Sequence, residues 1–141
     1  MSKRETTDII VIHCTQTPPG MDVDVDKVTQ WHKDRGFDTI GYHYLIKRDG
    51  TLQEGRQQDE VGAHAVAVNG TSVGVALVGG GTSSMGWEDN FAPIQLETLK
   101  TILLKLKSEY EIKKIIGHYE VDDKKECPSF DVPKWLEKNN I

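Results

Sequence analysis

Three side chains that lie far apart in the sequence are of the types that bind zinc: His13, His118 and Cys127. Catalytic zinc sites use three protein ligands and leave a fourth position to water or substrate, whereas structural sites usually use four. Two imidazoles and one thiolate would therefore form a catalytic site. Taken singly, however, a histidine at the end of an apolar strand is more often a hydrogen-bonded structural residue than a ligand.

The surroundings of Cys127 favour a thiolate. Pro128 restricts the preceding residue to an extended backbone, and the start of a helix predicted just beyond it lowers the pKa of a nearby thiol. A thiolate can bind a metal, but it can also attack a carbonyl with His118 as the base. The residues alone leave open both a zinc hydrolase and a thiol hydrolase.

Two predicted strands carry the histidines. The apolar, β-branched run from Asp8 to His13 is typical of a strand in the middle of a sheet, and residues 113–117 form a short strand that ends at His118. Ligands collect at the carboxyl ends of strands in open α/β sheets. If these strands are neighbours, the two rings meet at one edge of the sheet.

The remaining pattern predicts an α/β fold in one domain, residues 1–141. We expect a central mixed β-sheet of about five or six strands flanked by about three helices, with residues 1–7 as a flexible segment. The other predicted elements are a helix over 24–35, a hairpin with strands 41–47 and 51–54, a long ordered loop over 55–71, a strand over 72–78, a helix over 93–110 and a last helix capped by Asp131.

The composition excludes several functions. The net charge of −5 lacks the basic excess that nucleic-acid binding requires, and no apolar run is long enough for membrane insertion. The N-terminus lacks the apolar core of a signal peptide, so we expect synthesis in a cytoplasm with both cysteines, Cys14 and Cys127, reduced. A monomer is the default expectation for one small domain.

Motifs along nearly the whole chain, from Thr7 to Glu137, resemble the type 2 N-acetylmuramoyl-L-alanine amidases, which share a fold with peptidoglycan recognition proteins. Within that family the chain is most similar to the small amidase-type lysozymes, or endolysins, of tailed bacteriophages. The motifs are Val11-Ile12-His13-Cys14, Trp31-His32-Lys33, Gly41-Tyr42-His43, Lys47-Arg48-Asp49-Gly50-Thr51, Val61-Gly62-Ala63-His64-Ala65, Ser72-Val73-Gly74-Val75, Gly117-His118-Tyr119-Glu120 and Cys127-Pro128-Ser129-Phe130-Asp131.

The resemblance implies one bound Zn²⁺ ion, with His13, His118 and Cys127 as ligands. It implies cleavage of peptidoglycan between the lactyl carbonyl of N-acetylmuramic acid and L-alanine, with Tyr42 and Lys125 as the catalytic side chains. A phenol can guide a proton of the attacking water, and an ammonium can stabilise an oxyanion.

Other polar residues are predicted to have lesser roles. We expect His64 and Asn69 to bind substrate in the groove, although a histidine in a glycine-flanked loop could instead cap backbone groups. His32 and Cys14 are interpreted as buried structural residues. Side chains alternate along a strand, so His43 should lie on the face opposite Tyr42.

The resemblance also implies a biological setting. A phage endolysin made in the host cytoplasm reaches the periplasmic wall after a separate, holin-type permeabilisation of the membrane, and lyses the host cell. Endolysins of this kind can also inhibit the phage's single-subunit RNA polymerase, and residues 3–8 motivate that second role here. The alternative is a non-catalytic module that binds peptidoglycan or regulates the polymerase.

Overall fold

A mixed β-sheet forms the centre of the fold in the computed structural model, which describes residues 2–141. Within those residues it has five strands, in the order β3-β2-β4-β1-β5, and only β3 runs antiparallel to its neighbour. This confirms the predicted mixed sheet. The strands are β1 (Ile9–Cys14), β2 (Tyr44–Ile46), β3 (Leu52–Glu54), β4 (Ser72–Leu77) and β5 (Lys114–Gly117).

Three α-helices flank the sheet within the described part of the chain: α1 (Val25–Asp34), α2 (Pro93–Glu109) and α3 (Val132–Lys138). The carboxylates of Asp24 and Asp131 accept hydrogen bonds from first-turn amides of α1 and α3, at 2.9 and 3.0 Å. Such N-caps satisfy amides that have no partner inside the helix. None of the helices in residues 2–141 has both the length and the apolar composition needed to cross a membrane.

The two faces of the sheet have separate cores. Ile10 and Ile12 of β1 pack with α2 and α3 on one face, and Val11 packs on the other face with Ala65 and Ile116. Because side chains alternate along a strand, His13 shares the face of Val11. The pairing of β1 with both β4 and β5 buries all six residues of β1, as its apolar sequence predicted.

The segment that precedes β1 is attached to the rest of the fold. The Arg4 guanidinium donates hydrogen bonds to the carbonyls of Gln58 and Glu60, both at 2.5 Å. The sequence predicted a flexible segment over residues 1–7, whereas Arg4 is anchored here. The reason is that a guanidinium carries five N–H donors, which can bond to loop carbonyls that lack other partners. Met1 lies outside the described residues.

The predicted strand over 41–47 is shorter in the structure, since β2 begins at Tyr44. Before Tyr44 the backbone pairs irregularly: the Gly41 carbonyl accepts a hydrogen bond from the loop amide of Ala63, although the His43 amide still donates to the Gly74 carbonyl of β4. Strict alternation therefore does not extend to Tyr42 and His43.

Candidate metal centre

Strand pairing brings the two histidines together. Ile12 of β1 lies opposite Gly117 of β5 in parallel register, so His13 and His118 leave the sheet side by side. Their ring centroids are 4.5 Å apart. Sequence reasoning required β1 and β5 to be neighbours, and they are.

Cys127 completes the cluster from the loop between β5 and α3. One donor atom from each of His13, His118 and Cys127 lies within 4.8 Å of the other two. Two imidazole nitrogens and a sulfur at this separation suit a single ion that prefers nitrogen and sulfur ligands.

The sulfur of Cys127 is held by the backbone of β1. The amide of Cys14 donates a hydrogen bond to Cys127 Sγ at 2.9 Å, and the Cys127 side chain is buried. Burial raises the pKa of the Cys127 thiol well above its ordinary value. A cation bound at the sulfur would offset the cost of the buried thiolate, so the donor set fits a metal ion.

The histidines are in the form that binds metals. Burial lowers the pKa of His13 well below its ordinary value, with repulsion from His64 and His118 acting in the same direction. Burial also lowers the pKa of His118, and Lys125 adds to this effect while Asp122 opposes it. Neutral imidazoles at pH 7 leave a nitrogen lone pair for a metal.

A cavity of about 460 Å³ opens over the cluster. All seven residues predicted for the site contribute to its wall: His13, Tyr42, His64, Asn69, His118, Lys125 and Cys127. Sequence reasoning missed Arg35, Phe37, Trp87 and Asp122, which also line the cavity. They lie at a helix end or in loops, where the sequence has no regular hydrophobic spacing from which the direction of a side chain could be predicted.

Tyr42 lies beside the cluster. Its ring centroid is 5.0 Å from that of His13 and 5.2 Å from that of His32. Burial raises the pKa of the Tyr42 phenol far above its ordinary value, so the hydroxyl is protonated at neutral pH. Tyr42 can therefore donate a hydrogen bond into the cavity.

His43 does not line the cavity, in agreement with its predicted structural role, but it is not on the opposite face from the site. Its ring centroid is 5.6 Å from that of His64, behind the cavity wall. The chain is irregular before Tyr44, so strand alternation does not govern this pair.

His64 and Asn69 direct polar atoms into the protein. Both ring nitrogens of His64 have partners, His13 Nε2 at 2.8 Å and Ser72 Oγ at 3.2 Å. Asn69 Oδ1 accepts hydrogen bonds from the amides of His64 and Ala65, at 2.9 and 2.8 Å. Both residues line the cavity, and their contact with substrate stays a prediction. The Asn69 amide nitrogen makes no hydrogen bond to the described residues.

Two buried histidines predict an acid-sensitive fold. Nδ1 of His32 accepts a hydrogen bond from the Gly41 amide at 2.8 Å, and Nδ1 of His43 accepts one from the Gly74 amide at 3.0 Å. Burial lowers the pKa of each to about 4. The folded pKa is then below the unfolded value of about 6.5, so this stability is complete above pH 6.5 and is lost as the pH falls towards 4.

We expect the free energy of unfolding of the metal-free protein to fall by about 1.4 kcal/mol per pH unit for each of these histidines in that window. The measurement is urea denaturation between pH 4 and 7. His32→Asn offers an amide oxygen near the Nδ1 position and no titration, so it should reduce the slope by about one proton. An unchanged slope in that variant would remove His32 from the explanation.

Known proteins resemble the chain in sequence and in fold. Residues 3–130 match the family described as N-acetylmuramoyl-L-alanine amidase. The chain is 45% identical over 140 residues to an endolysin of Klebsiella phage KP32, covering 99% of this chain and 92% of that protein.

Two solved structures extend the comparison to the fold. The endolysin N-acetylmuramoyl-L-alanine amidase LysCS from Clostridium intestinale URNW superposes with a TM-score of 0.82 at 30% identity, over 96% of this chain and 85% of that one. Wild-type Drosophila PGRP-LB superposes with a TM-score of 0.76 at 26% identity, over 92% of this chain and 78% of that one.

Proposed function

Because the chain belongs to the N-acetylmuramoyl-L-alanine amidase family, we propose that it is a zinc-dependent peptidoglycan hydrolase that cleaves the amide bond between N-acetylmuramic acid and the L-alanine of the stem peptide. The observation that carries this proposal is the convergence of His13, His118 and Cys127 at the floor of an open cavity. Three protein ligands leave one position for water or substrate, as hydrolysis requires.

The three donors would hold one Zn²⁺ ion. When bound, zinc lowers the pKa of a water molecule to about 7 and polarises a carbonyl, which are the two needs of amide hydrolysis. The protein holds the donors rigidly, because His13 lies in β1, a strand paired on both sides, and Cys127 Sγ accepts a hydrogen bond from the Cys14 amide.

Tyr42 and Lys125 would act on the substrate. The Tyr42 ring centroid lies 5.0 Å from that of His13. Its protonated phenol can direct a proton of the attacking water. Lys125 is exposed and contributes to the cavity wall, where its ammonium can stabilise the oxyanion that forms at the scissile carbonyl.

Replacing Lys125 with alanine is expected to lower kcat by about 10²-fold to 10³-fold, which is the usual effect of losing one oxyanion donor. Zinc affinity should remain close to that of the wild type, since the lysine is not a donor in the cluster. The neighbouring Lys124→Ala is the matched control, because Lys124 is exposed and does not line the cavity. Equal activity of the two variants would exclude the assigned role of Lys125.

We further propose that the protein is a phage endolysin that acts in lysis of a bacterial host. The similarity over almost the full length to an endolysin of Klebsiella phage KP32 supports this role. Access to the wall from the host cytoplasm would then depend on a separate, holin-type membrane lesion.

The thiol-hydrolase alternative is weaker in this geometry. A nucleophilic cysteine needs a lowered pKa, whereas burial raises the pKa of the Cys127 thiol. A donor nitrogen of His118 lies within 4.8 Å of the sulfur, but so does a donor nitrogen of His13. Two imidazoles around one sulfur suit a metal ion better than a catalytic dyad, which needs only one.

Inhibition of a phage single-subunit RNA polymerase stays a prediction. The residues 3–8 that motivated it include Arg4, which is engaged with the Gln58 and Glu60 carbonyls, while Lys3 and Glu5 remain exposed. Binding to the cognate polymerase would test this role separately from hydrolysis.

The cleaved bond is identified by the groups that appear when purified peptidoglycan is digested. An amidase releases stem peptides with new α-amino groups on L-alanine and creates no new reducing sugar ends. New reducing ends, or new amino groups on another residue, would contradict the proposed specificity.

A further inference from the structure

The ring of His64 occupies a space that two glycines leave open. A Cβ atom on Gly74 would lie 2.6 Å from Cγ of His64, and a Cβ on Gly62 would lie 2.6 Å from its Cδ2. Neither glycine has a positive φ, so backbone conformation does not require glycine at these positions. Any larger residue at either position would instead displace the His64 ring.

Hydrogen bonds also fix the backbone beside that ring. Asn69 Oδ1 accepts from the amides of both His64 and Ala65. The His64 side chain is 8% exposed, so solvent competes little for its nitrogens. The fold thus holds one orientation of this imidazole against His13.

The hydrogen bonds on the far side of His64 have one direction. The Ser72 hydroxyl donates to the Val68 carbonyl at 2.7 Å, because a carbonyl can only accept. The hydroxyl proton is thereby used, so Ser72 Oγ accepts from Nε2 of His64 at 3.2 Å. A neutral imidazole carries one N–H, which leaves Nδ1 of His64 as an acceptor.

That direction determines the tautomer of His13. Its Nε2 lies 2.8 Å from Nδ1 of His64 and must supply the proton of this hydrogen bond. The single N–H of His13 is then at Nε2, and Nδ1 carries the lone pair. A metal in the cluster can accept only that lone pair.

We propose that His64 is a positioning residue, which together with Ser72 and the Val68 carbonyl holds His13 in the Nε2–H tautomer and presents its Nδ1 to the metal. The inference rests on the zinc site proposed above and adds a role for a residue that is not itself a ligand. It is an alternative to the substrate contact predicted for His64, because both nitrogens of that ring have partners inside the protein.

The test compares the zinc affinities of full-length variants by competition with a chromophoric chelator. His64→Phe retains a ring in the space beside Gly62 and Gly74 but removes both hydrogen bonds, and should weaken zinc binding by about 10-fold to 100-fold, as loss of an outer partner of a ligating histidine does. His64→Asn offers an amide oxygen near the Nδ1 position and should recover most of that loss. Ser72→Ala should weaken binding less than His64→Phe does.

A second readout needs no metal and no activity. Long-range ¹H–¹⁵N correlation spectra report which nitrogen of a histidine carries the proton, and metal-free wild-type protein should show His13 as the Nε2–H tautomer. Ser72→Ala should populate the other tautomer. This measurement keeps the inference falsifiable if His64→Phe fails to fold.

The outcomes separate this inference from the proposed function. Wild-type zinc affinity in a folded His64→Phe variant, or an Nδ1–H tautomer at His13 in the wild type, would overturn the positioning role and leave the zinc site intact. Absence of zinc binding by the wild type would overturn the proposed function instead. The tautomer of His13, measured in the metal-free protein, would still test the direction of the hydrogen bonds from His13 through His64 to Ser72.

Discussion

Replacing Cys127 with alanine is expected to abolish zinc binding at stoichiometric concentrations and to reduce amidase activity to background. The Cys127 sulfur is one of three donors within 4.8 Å, and as a metal-bound thiolate it would supply the only negative charge among them. Its loss should weaken zinc binding by more than the 10-fold to 100-fold that removal of an outer partner costs. Two neutral imidazoles would then remain, one protein ligand fewer than catalytic zinc sites use.

Cys14 provides the matched control. It is also buried, at 4% exposure like Cys127, and it follows His13 in the sequence. It contributes its backbone amide to Cys127 Sγ, and alanine retains that amide. Cys14→Ala should therefore bind one zinc ion and retain activity. Equilibrium dialysis measures zinc binding in both variants. If the Cys127→Ala protein binds zinc as well as the Cys14→Ala protein does, Cys127 is not a ligand.

Replacing Tyr42 with phenylalanine is expected to lower kcat by about 10²-fold to 10⁴-fold, which is the range for loss of a group that directs proton transfer. The aromatic contacts with His13 and His32 need only the ring, so the cluster should keep its geometry and its zinc. A selective loss of kcat with unchanged zinc affinity would separate the hydroxyl from a structural role.

Tyr44→Phe is the control for the hydroxyl. Tyr44 is buried two residues away in β2, packs in the core with α2, and bonds through its hydroxyl to Gln58 outside the cavity. Its loss should affect stability and leave kcat near the wild-type value. If the two phenylalanine variants hydrolyse soluble peptidoglycan fragments equally fast, Tyr42 has no chemical role.

Much of the fold could be predicted because local signals agree with it. The β-branched run that forms β1 is apolar on both faces, and the structure places β1 between two neighbours. Asp131 was predicted as a helix cap and is one, because its short side chain lies next to an amide that lacks a helical partner. His13, His118 and Cys127 could be predicted as ligands because few residue types bind zinc and because the motifs around them resemble those of the amidase family.

The rest depends on contacts that local patterns do not encode. The neighbouring positions of β1 and β5, which unite the two histidines, are a property of topology. The role proposed for His64 depends on space left by Gly62 and Gly74 and on Ser72 in β4. Arg4 is fixed by carbonyls more than fifty residues away, so a polar N-terminal segment was interpreted as flexible.

The most direct test of the central claim is the release of amino-terminal alanine from purified Gram-negative peptidoglycan by chelator-stripped protein, before and after addition of one equivalent of zinc. The convergence of His13, His118 and Cys127 predicts release only after zinc is added. Release by protein verified to be metal-free, or no release by folded protein loaded with zinc, would contradict the assignment of this site as a zinc amidase.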